Sequence, residues 1–157
     1  MSDFTYGLTV NSTIGIAGTI SADSAQAGSI GEFVQGQLLQ ASPTALTTNT
    51  AANIISISLT AGDWDVTGFA DFLPAATTSV TLMTYGVSTV SATIGIQDTY
   101  GQVAQGAQVP GANISAFDTP TIRINISTTT TVYLVVKSVF TVSTMAAFGT
   151  LRARRVR

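Results

Sequence analysis

Ile55-Ser56-Ile57-Ser58-Leu59-Thr60-Ala61-Gly62-Asp63-Trp64-Asp65-Val66-Thr67-Gly68-Phe69-Ala70-Asp71-Phe72 holds two strand signatures in immediate succession. Ile55, Ile57 and Leu59 alternate with Ser56 and Ser58, so an extended chain here has one apolar and one polar face. Thr60-Ala61-Gly62 supplies a turn. Trp64, Val66, Gly68, Ala70 and Phe72 then take the inward parity until Pro74, which lacks a ladder donor, ends the run. A period of two cannot gather these side chains on one face of a helix, where the period is 3.6. The stretch predicts two consecutive strands, each turning one face to a core.

Towards the C-terminus, Val80 and Leu82 open a strand that runs on to Val87. Between Ser88 and Gly111 the pattern weakens, with Gly95, Gly101, Gly106 and Pro110 spread through it, and mostly loops with short strands are expected. Ile122, Ile124 and Ile126 alternate cleanly after Pro120. Thr128 to Thr130 turn the chain, Val132, Leu134 and Val136 return it, and Phe140 and Val142 extend that strand. A last strand runs from about Ala147 to the C-terminus. About eight strands without a helical period predict an all-β fold, an antiparallel β-sandwich of the jelly-roll type.

Towards the N-terminus, Phe4, Tyr6, Leu8 and Val10 share one parity, and Ile14, Ile16 and Ile20 continue it. Gly7, Gly15 and Gly18 interrupt the run, so it reads as a narrow β arm rather than part of a compact sheet. An isolated ribbon is marginal in water, so the apolar face of the arm needs a partner chain or a docking surface. These seven residues are expected to serve trimerisation or docking. Ala25-Gln26-Ala27-Gly28-Ser29 reads as a hinge, dividing the chain into an arm at 1–28 and a β-sandwich at 29–157.

The composition narrows the function classes. At 157 residues the chain can bury one core. Charged residues make up 9%, against about a quarter in an ordinary soluble protein. Hydrophobic residues at 45% exclude disorder, and no apolar run nears the ~18 residues of a spanning helix, so no membrane insertion is expected. There is no Cys and no His, which removes disulfides, thiolate metal sites and the usual general base. Met1 to Thr5 has no basic and apolar leader pattern, so synthesis in a host cytoplasm is expected. No Lys or Arg precedes Arg123, and no Asp or Glu follows Asp118. Arg152, Arg154, Arg155 and Arg157 crowd the end of the chain, but the net charge is -2, whereas nucleic acid binding wants a broad basic face. Ion pairs inside the assembly are expected instead, with Arg152 and Arg154 meeting Asp63 or Asp65.

Residue chemistry does not assemble into a catalytic site. Asp63, Asp65 and Asp71 share one parity and could offer oxygens to Ca²⁺. Neighbouring same-face positions lie nearly 7 Å apart by strand geometry, however, too far for one ion without loop ligands. A hydrophilic or subunit-facing edge accounts for them better. A glycosidase would need two carboxylates flanking a cleft, and Glu32 is the lone Glu. Serine nucleophiles lack a base. No strand, Gly-rich loop and helix surround the glycines as a phosphate cradle requires. Asn11, Asn113 and Asn125 lie in sequons that a Thr-rich sequence produces by chance. Trp64 and Tyr133 could stack on sugars, but aromatics in alternating strands belong to a core or an interface. No enzyme, cofactor or metal site is expected.

Two segments resemble the trimeric jelly rolls of the tumour-necrosis-factor and complement type: Ser58-Leu59-Thr60-Ala61-Gly62-Asp63-Trp64-Asp65-Val66 and Thr130-Thr131-Val132-Tyr133-Leu134-Val135-Val136. A wider likeness is to small surface proteins of tailed phages and prophages. It rests on Leu8-Thr9-Val10, Ile16-Ala17-Gly18-Thr19-Ile20, Gly28-Ser29-Ile30-Gly31-Glu32, the block from Leu59 to Gly68, and the end Phe148-Gly149 and Ala153-Arg154-Arg155-Val156-Arg157. It covers most of the chain outside Ser88 to Pro110. The resemblance implies a homotrimeric component of a bacteriophage virion, a capsid decoration, head fibre or short tail fibre. Its partners would be copies of itself and capsid or tail proteins. An alternative expectation is a receptor-binding tip that reads host cell-surface glycans through the loops between Ser88 and Pro110. The resemblance transfers no catalytic residue.

Overall fold

The computed structural model describes residues 23–157. The expected arm, with Phe4, Tyr6, Leu8, Val10, Ile14, Ile16 and Ile20, lies outside them. The described chain forms β1 (Phe33–Leu38), β2 (Thr44–Ala45), β3 (Ala52–Leu59), β4 (Gly62–Pro74), β5 (Ser79–Ser88), β6 (Tyr100–Gln108), β7 (Ser115–Asp118), β8 (Ile122–Ile126), β9 (Thr130–Thr141) and β10 (Met145–Arg155). All pairings are antiparallel. One sheet runs β1-β10-β4-β7, with β8 also beside β4 and β2 beside β10; the other runs β3-β9-β5-β6. β7 faces Phe69 to Phe72 and β8 faces Gly62 to Val66, so the two lie end to end along β4. Counted as one strand broken at Pro120, and with the short β2 set aside, they leave eight positions ordered 1-8-3-6 and 2-7-4-5. That order is the jelly roll.

The two strands of the opening stretch do not pair with each other. β3 belongs to one sheet and β4 to the other, so Thr60-Ala61 carries the chain across the core, about 10 Å thick. Trp64, Val66, Ala70, Phe72, Leu151 and Ala153 face Ile57, Leu59, Val80, Val87, Val132, Leu134 and Val136, and all are buried. At Gly68 the sheets come into close contact. A β-carbon there would lie 2.7 Å from Leu134 Cδ1, so glycine lets Leu134 rest on the β4 backbone. Gly68 N–H donates to Thr119 Oγ1 at 2.8 Å, and its carbonyl accepts from Thr119 N–H at 2.9 Å, bridging the break between β7 and β8.

The long sides of the sandwich close differently. On one, β1 packs against β3, where Gly36 brings the backbone onto Ile55 and Ile57. On the other, Tyr85 stacks on Phe117 with ring centroids 4.9 Å apart, and both meet Phe72 edge-on at 6.5 and 6.1 Å.

Three expectations need correction. The region from Ser88 to Gly111 contains the nine-residue β6, whose signal is masked because Gly101 makes room for the Tyr85 ring. The strand through Phe140 stops at Thr141, and Val142 turns outward with φ 76°. The segment expected as a hinge is a pair of tied turns. Ser29 N–H donates to Gln26 O and Glu32 N–H to Ser29 O, with Gly28 and Gly31 at positive φ.

Gly68→Ala should cost about 1–3 kcal/mol by overpacking. Because Leu134 is the atom group it meets, Gly68→Ala combined with Leu134→Ala should cost less than the sum of the two. Urea unfolding of the three variants measures this, and strict additivity would contradict the contact.

Candidate functional site

The β3–β4, β5–β6 and β8–β9 connections share one end of the sandwich with the start of β1 and the end of β10. Arg155 occupies that end. It continues the parity of Leu151 and Ala153 on β10, so its side chain is driven inward and is buried. Its Nε donates to Glu32 Oε2 at 2.9 Å, Nη1 to the Ala61 carbonyl at 2.8 Å and Nη2 to Thr60 Oγ1 at 2.6 Å. The guanidinium carbon lies 4.3 Å from the centre of the Trp64 ring, a cation–π contact. Trp64 Nε1 donates to Thr60 O at 3.0 Å, so one turn serves both side chains. A β-carbon on Gly62 would run into the Arg155 guanidinium, which explains glycine at the start of β4.

Glu32 is held from the other side. Gly28 N–H donates to its Oε2 at 2.7 Å, Arg155 N–H donates to Glu32 O, and Gly31 N–H donates to Arg155 O. The Gly28 N–H holds the Glu32 carboxyl below its ordinary value, opposed by burial and helped by Arg155. Beside this pair, Arg123 on β8 makes a two-pronged contact with Asp63, Nε to Oδ1 at 2.7 Å and Nη2 to Oδ2, and Arg157 Nη2 lies 3.4 Å from the same Oδ2. The Arg123 hydrogen bonds are the main cause of a lowered Asp63 pKa. Asp71 behaves oppositely, since burial pushes its carboxyl up.

Within the chain, therefore, Asp63 pairs with Arg123 and Arg157 rather than with Arg152 or Arg154. Arg152 and Arg154 sit on the exposed parity of β10, opposite Thr67 and Asp65 of β4, and make no salt bridge among the described residues. Asp63, Asp65 and Asp71 are not brought together: Asp63 is held by guanidiniums, Asp65 is exposed and Asp71 is buried. Glu32 and Arg155 form a buried ion pair that the sequence pattern does not announce. The parity shared by Leu151, Ala153 and Arg155 was the available signal for one of them.

The long side that holds Tyr85 and Phe117 also carries two depressions. An apolar groove of about 620 Å³ lies between β8 and the β5–β6 connection. Nearby, a polar depression of about 450 Å³ is lined by Gln97, Asp98, Tyr100, Gln102 and Pro120.

No protein-family model matches the chain, and no curated protein matches it. Among solved structures it is similar to part of infectious bursal disease virus, Gx strain, at 15% identity and a TM-score of 0.47 over 91% of this chain and 37% of that one. The VP2 subviral particle of that virus gives 14%, 0.38, 80% and 30%, and its Gt strain 11%, 0.39, 92% and 36%. The chain thus spans 30% to 37% of those proteins. The jelly-roll assignment rests on the strand order.

The clamp predicts a pH signature. Glu32 has a lower pKa folded than unfolded, so its contribution is complete above about pH 4.5 and is lost as pH falls through the folded value. Asp63 acts in the same direction below its ordinary 3.8. Asp71 opposes them, because its raised pKa is a penalty that acid relieves. Glu32→Gln should flatten the acid limb of the stability profile. Arg155→Met should cost on the order of 3 kcal/mol at pH 7, because Glu32 stays buried without its charge partner. Arg152→Gln and Arg154→Gln should stay within about 0.5 kcal/mol in the isolated subunit. Urea melts from pH 7 downward check all four, and equal effects at positions 152 and 155 would contradict the clamp.

Proposed function

We propose that the protein is a structural, non-enzymatic component of a tailed-bacteriophage virion. It forms a homotrimeric surface protein, a capsid decoration, head fibre or short tail fibre, with residues 1–28 serving attachment or trimerisation. The observation that carries this reading is the convergence of the blocks behind the sequence likeness. Gly28 to Glu32, Thr60 to Trp64 and Ala153 to Arg157 lie far apart in sequence, yet they meet in one clamp through Gly28, Glu32, Thr60, Ala61, Trp64 and Arg155. That three of the blocks behind the likeness depend on one another in space supports a shared architecture rather than shared composition.

Trimerisation is supported by a surface poor in charge that exposes Ile30, Val90, Ile96 and Val109. In this reading the exposed Arg152, Arg154 and Asp65 meet opposite charges on neighbouring subunits. The partners are copies of this chain and capsid or tail proteins, with no role for nucleic acid or membrane insertion. The protein is assembled in the host cytoplasm and resides in the virion.

A second reading, a tip that binds host surface glycans, is favoured by the polar depression. Tyr100 offers an aromatic face, while Gln97, Asp98 and Gln102 offer amide and carboxylate groups suited to sugar hydroxyls. Asp98 has φ 77°, a backbone strain of the kind found at ligand sites. Tyr100→Ala should then abolish binding on a glycan array without altering stability.

Sedimentation should give a trimer at micromolar concentration, and a stable monomer would contradict the main reading. Protein lacking residues 1–27 keeps Gly28 and Glu32. It should fold with an unchanged circular dichroism spectrum but fail to join particles. Full occupancy of particles by the truncated protein would contradict the role given to the arm.

A further inference from the structure

The groove beside β8 is lined by Val90, Ile94, Ile96, Ile122, Ile124 and Ile126 among others. Ile96 is 79% exposed and Val90 57%, so a substantial aliphatic surface faces solvent. Its lining mixes these aliphatic side chains with Thr89, Thr93, Thr99, Arg123 and Asn125 and holds no aromatic ring, which suits a segment of alternating apolar and polar residues. β8 is also a sheet edge: it pairs with β4 on one side, and among the described residues no strand pairs with its other side. An unpaired strand edge next to an aliphatic groove is the acceptor arrangement for an added strand, whose backbone completes the ladder while alternate side chains fill the groove.

The chain carries one segment with the matching pattern. Phe4, Tyr6, Leu8 and Val10 alternate with Thr5, Gly7 and Thr9, and extended they would span about 20 Å. From Val10 to Gln26, where the tied turns begin, a stretched connection reaches roughly 50 Å. The described chain enters β1 at the same end of the sandwich at which the β8–β9 connection lies. It enters at the opposite edge of the sheet, however, with β10 and β4 between. A donor leaving one edge and an acceptor at the other edge form a head-to-tail contact, which closes into a ring when the rotation is right.

We propose that the groove receives Phe4 to Val10 of a neighbouring copy of this chain, added as a strand beside β8. The inference rests on the trimeric reading and supplies its mechanism, an exchange of arms around the ring. Because the chain has no Cys, engineered thiols report on this contact alone. Full-length protein carrying Ile96→Cys with Tyr6→Cys, or with Leu8→Cys, should give covalent trimers on mild oxidation, dissociated by reductant on a denaturing gel. Ile96→Asp, at a position exposed enough to leave folding intact, should weaken the trimer at least tenfold in sedimentation with an unchanged circular dichroism spectrum. In a protein that sediments as a trimer, intrachain bridges, no bridges in either pair, or no effect of Ile96→Asp would overturn the exchange and leave the trimer standing. A monomer in sedimentation would overturn the trimeric reading itself.

Discussion

A guanidinium taken out of water must find its hydrogen bonds elsewhere, because an uncompensated buried charge costs several kcal/mol. Arg155 is driven inward by the parity of β10, and the end of the sandwich is arranged around that requirement. Glu32 supplies the opposite charge from the chain entering β1. Thr60 and Ala61 supply neutral acceptors from the crossing between the sheets, and Trp64 supplies a π face. Gly62 leaves the space. The partners come from two distant parts of the chain, so the clamp fixes the first strand, the sheet-crossing turn and the last strand relative to one another.

The same constraint explains why the ends of the described chain are ordered where a hinge and a tail would otherwise lie. Glu32 is reached only if Gly28 and Gly31 adopt positive φ in two successive turns. Beyond Arg155 the chain continues to pair with β4, as Val156 N–H donates to Asp63 O and Asp63 N–H to Arg157 O. Arg157 and Arg123 then neutralise Asp63 from two sides. The strand order brings part of the segregated charge together, since β4 lies between β10 and β8 and Asp63 at its start meets bases from both sides.

Much of this fold was legible wherever the alternation was uninterrupted. β3, β4, β8 and β9 follow directly from Ile55 to Leu59, Trp64 to Phe72, Ile122 to Ile126 and Val132 to Phe140. Of the strands that escaped notice, β2 and β7 have only two and four residues, and in β1 and β6 a glycine replaces an inward side chain. In β1, Gly36 yields its space to Ile55 and Ile57, and in β6, Gly101 yields to Tyr85. Their signal lies on the neighbouring strand. The allocation of β3 and β4 to different sheets was not legible either, because a short turn is compatible with a hairpin or a crossing. At the clamp, Arg155 could be found by parity, but Glu32 sits in a turn 123 residues away and is chosen by topology alone.

In the proposed reading, the groove beside β8, a surface with few charges and a clamped end serve assembly with neighbouring subunits. The most direct test is electron cryomicroscopy of purified particles from a host strain carrying the gene for this chain. Threefold density on the particle surface that accepts the jelly roll, with its β8 edge turned towards the neighbouring subunit, is the predicted result. Particles whose surface density leaves no place for this fold, and whose purified protein content lacks the chain, would contradict it.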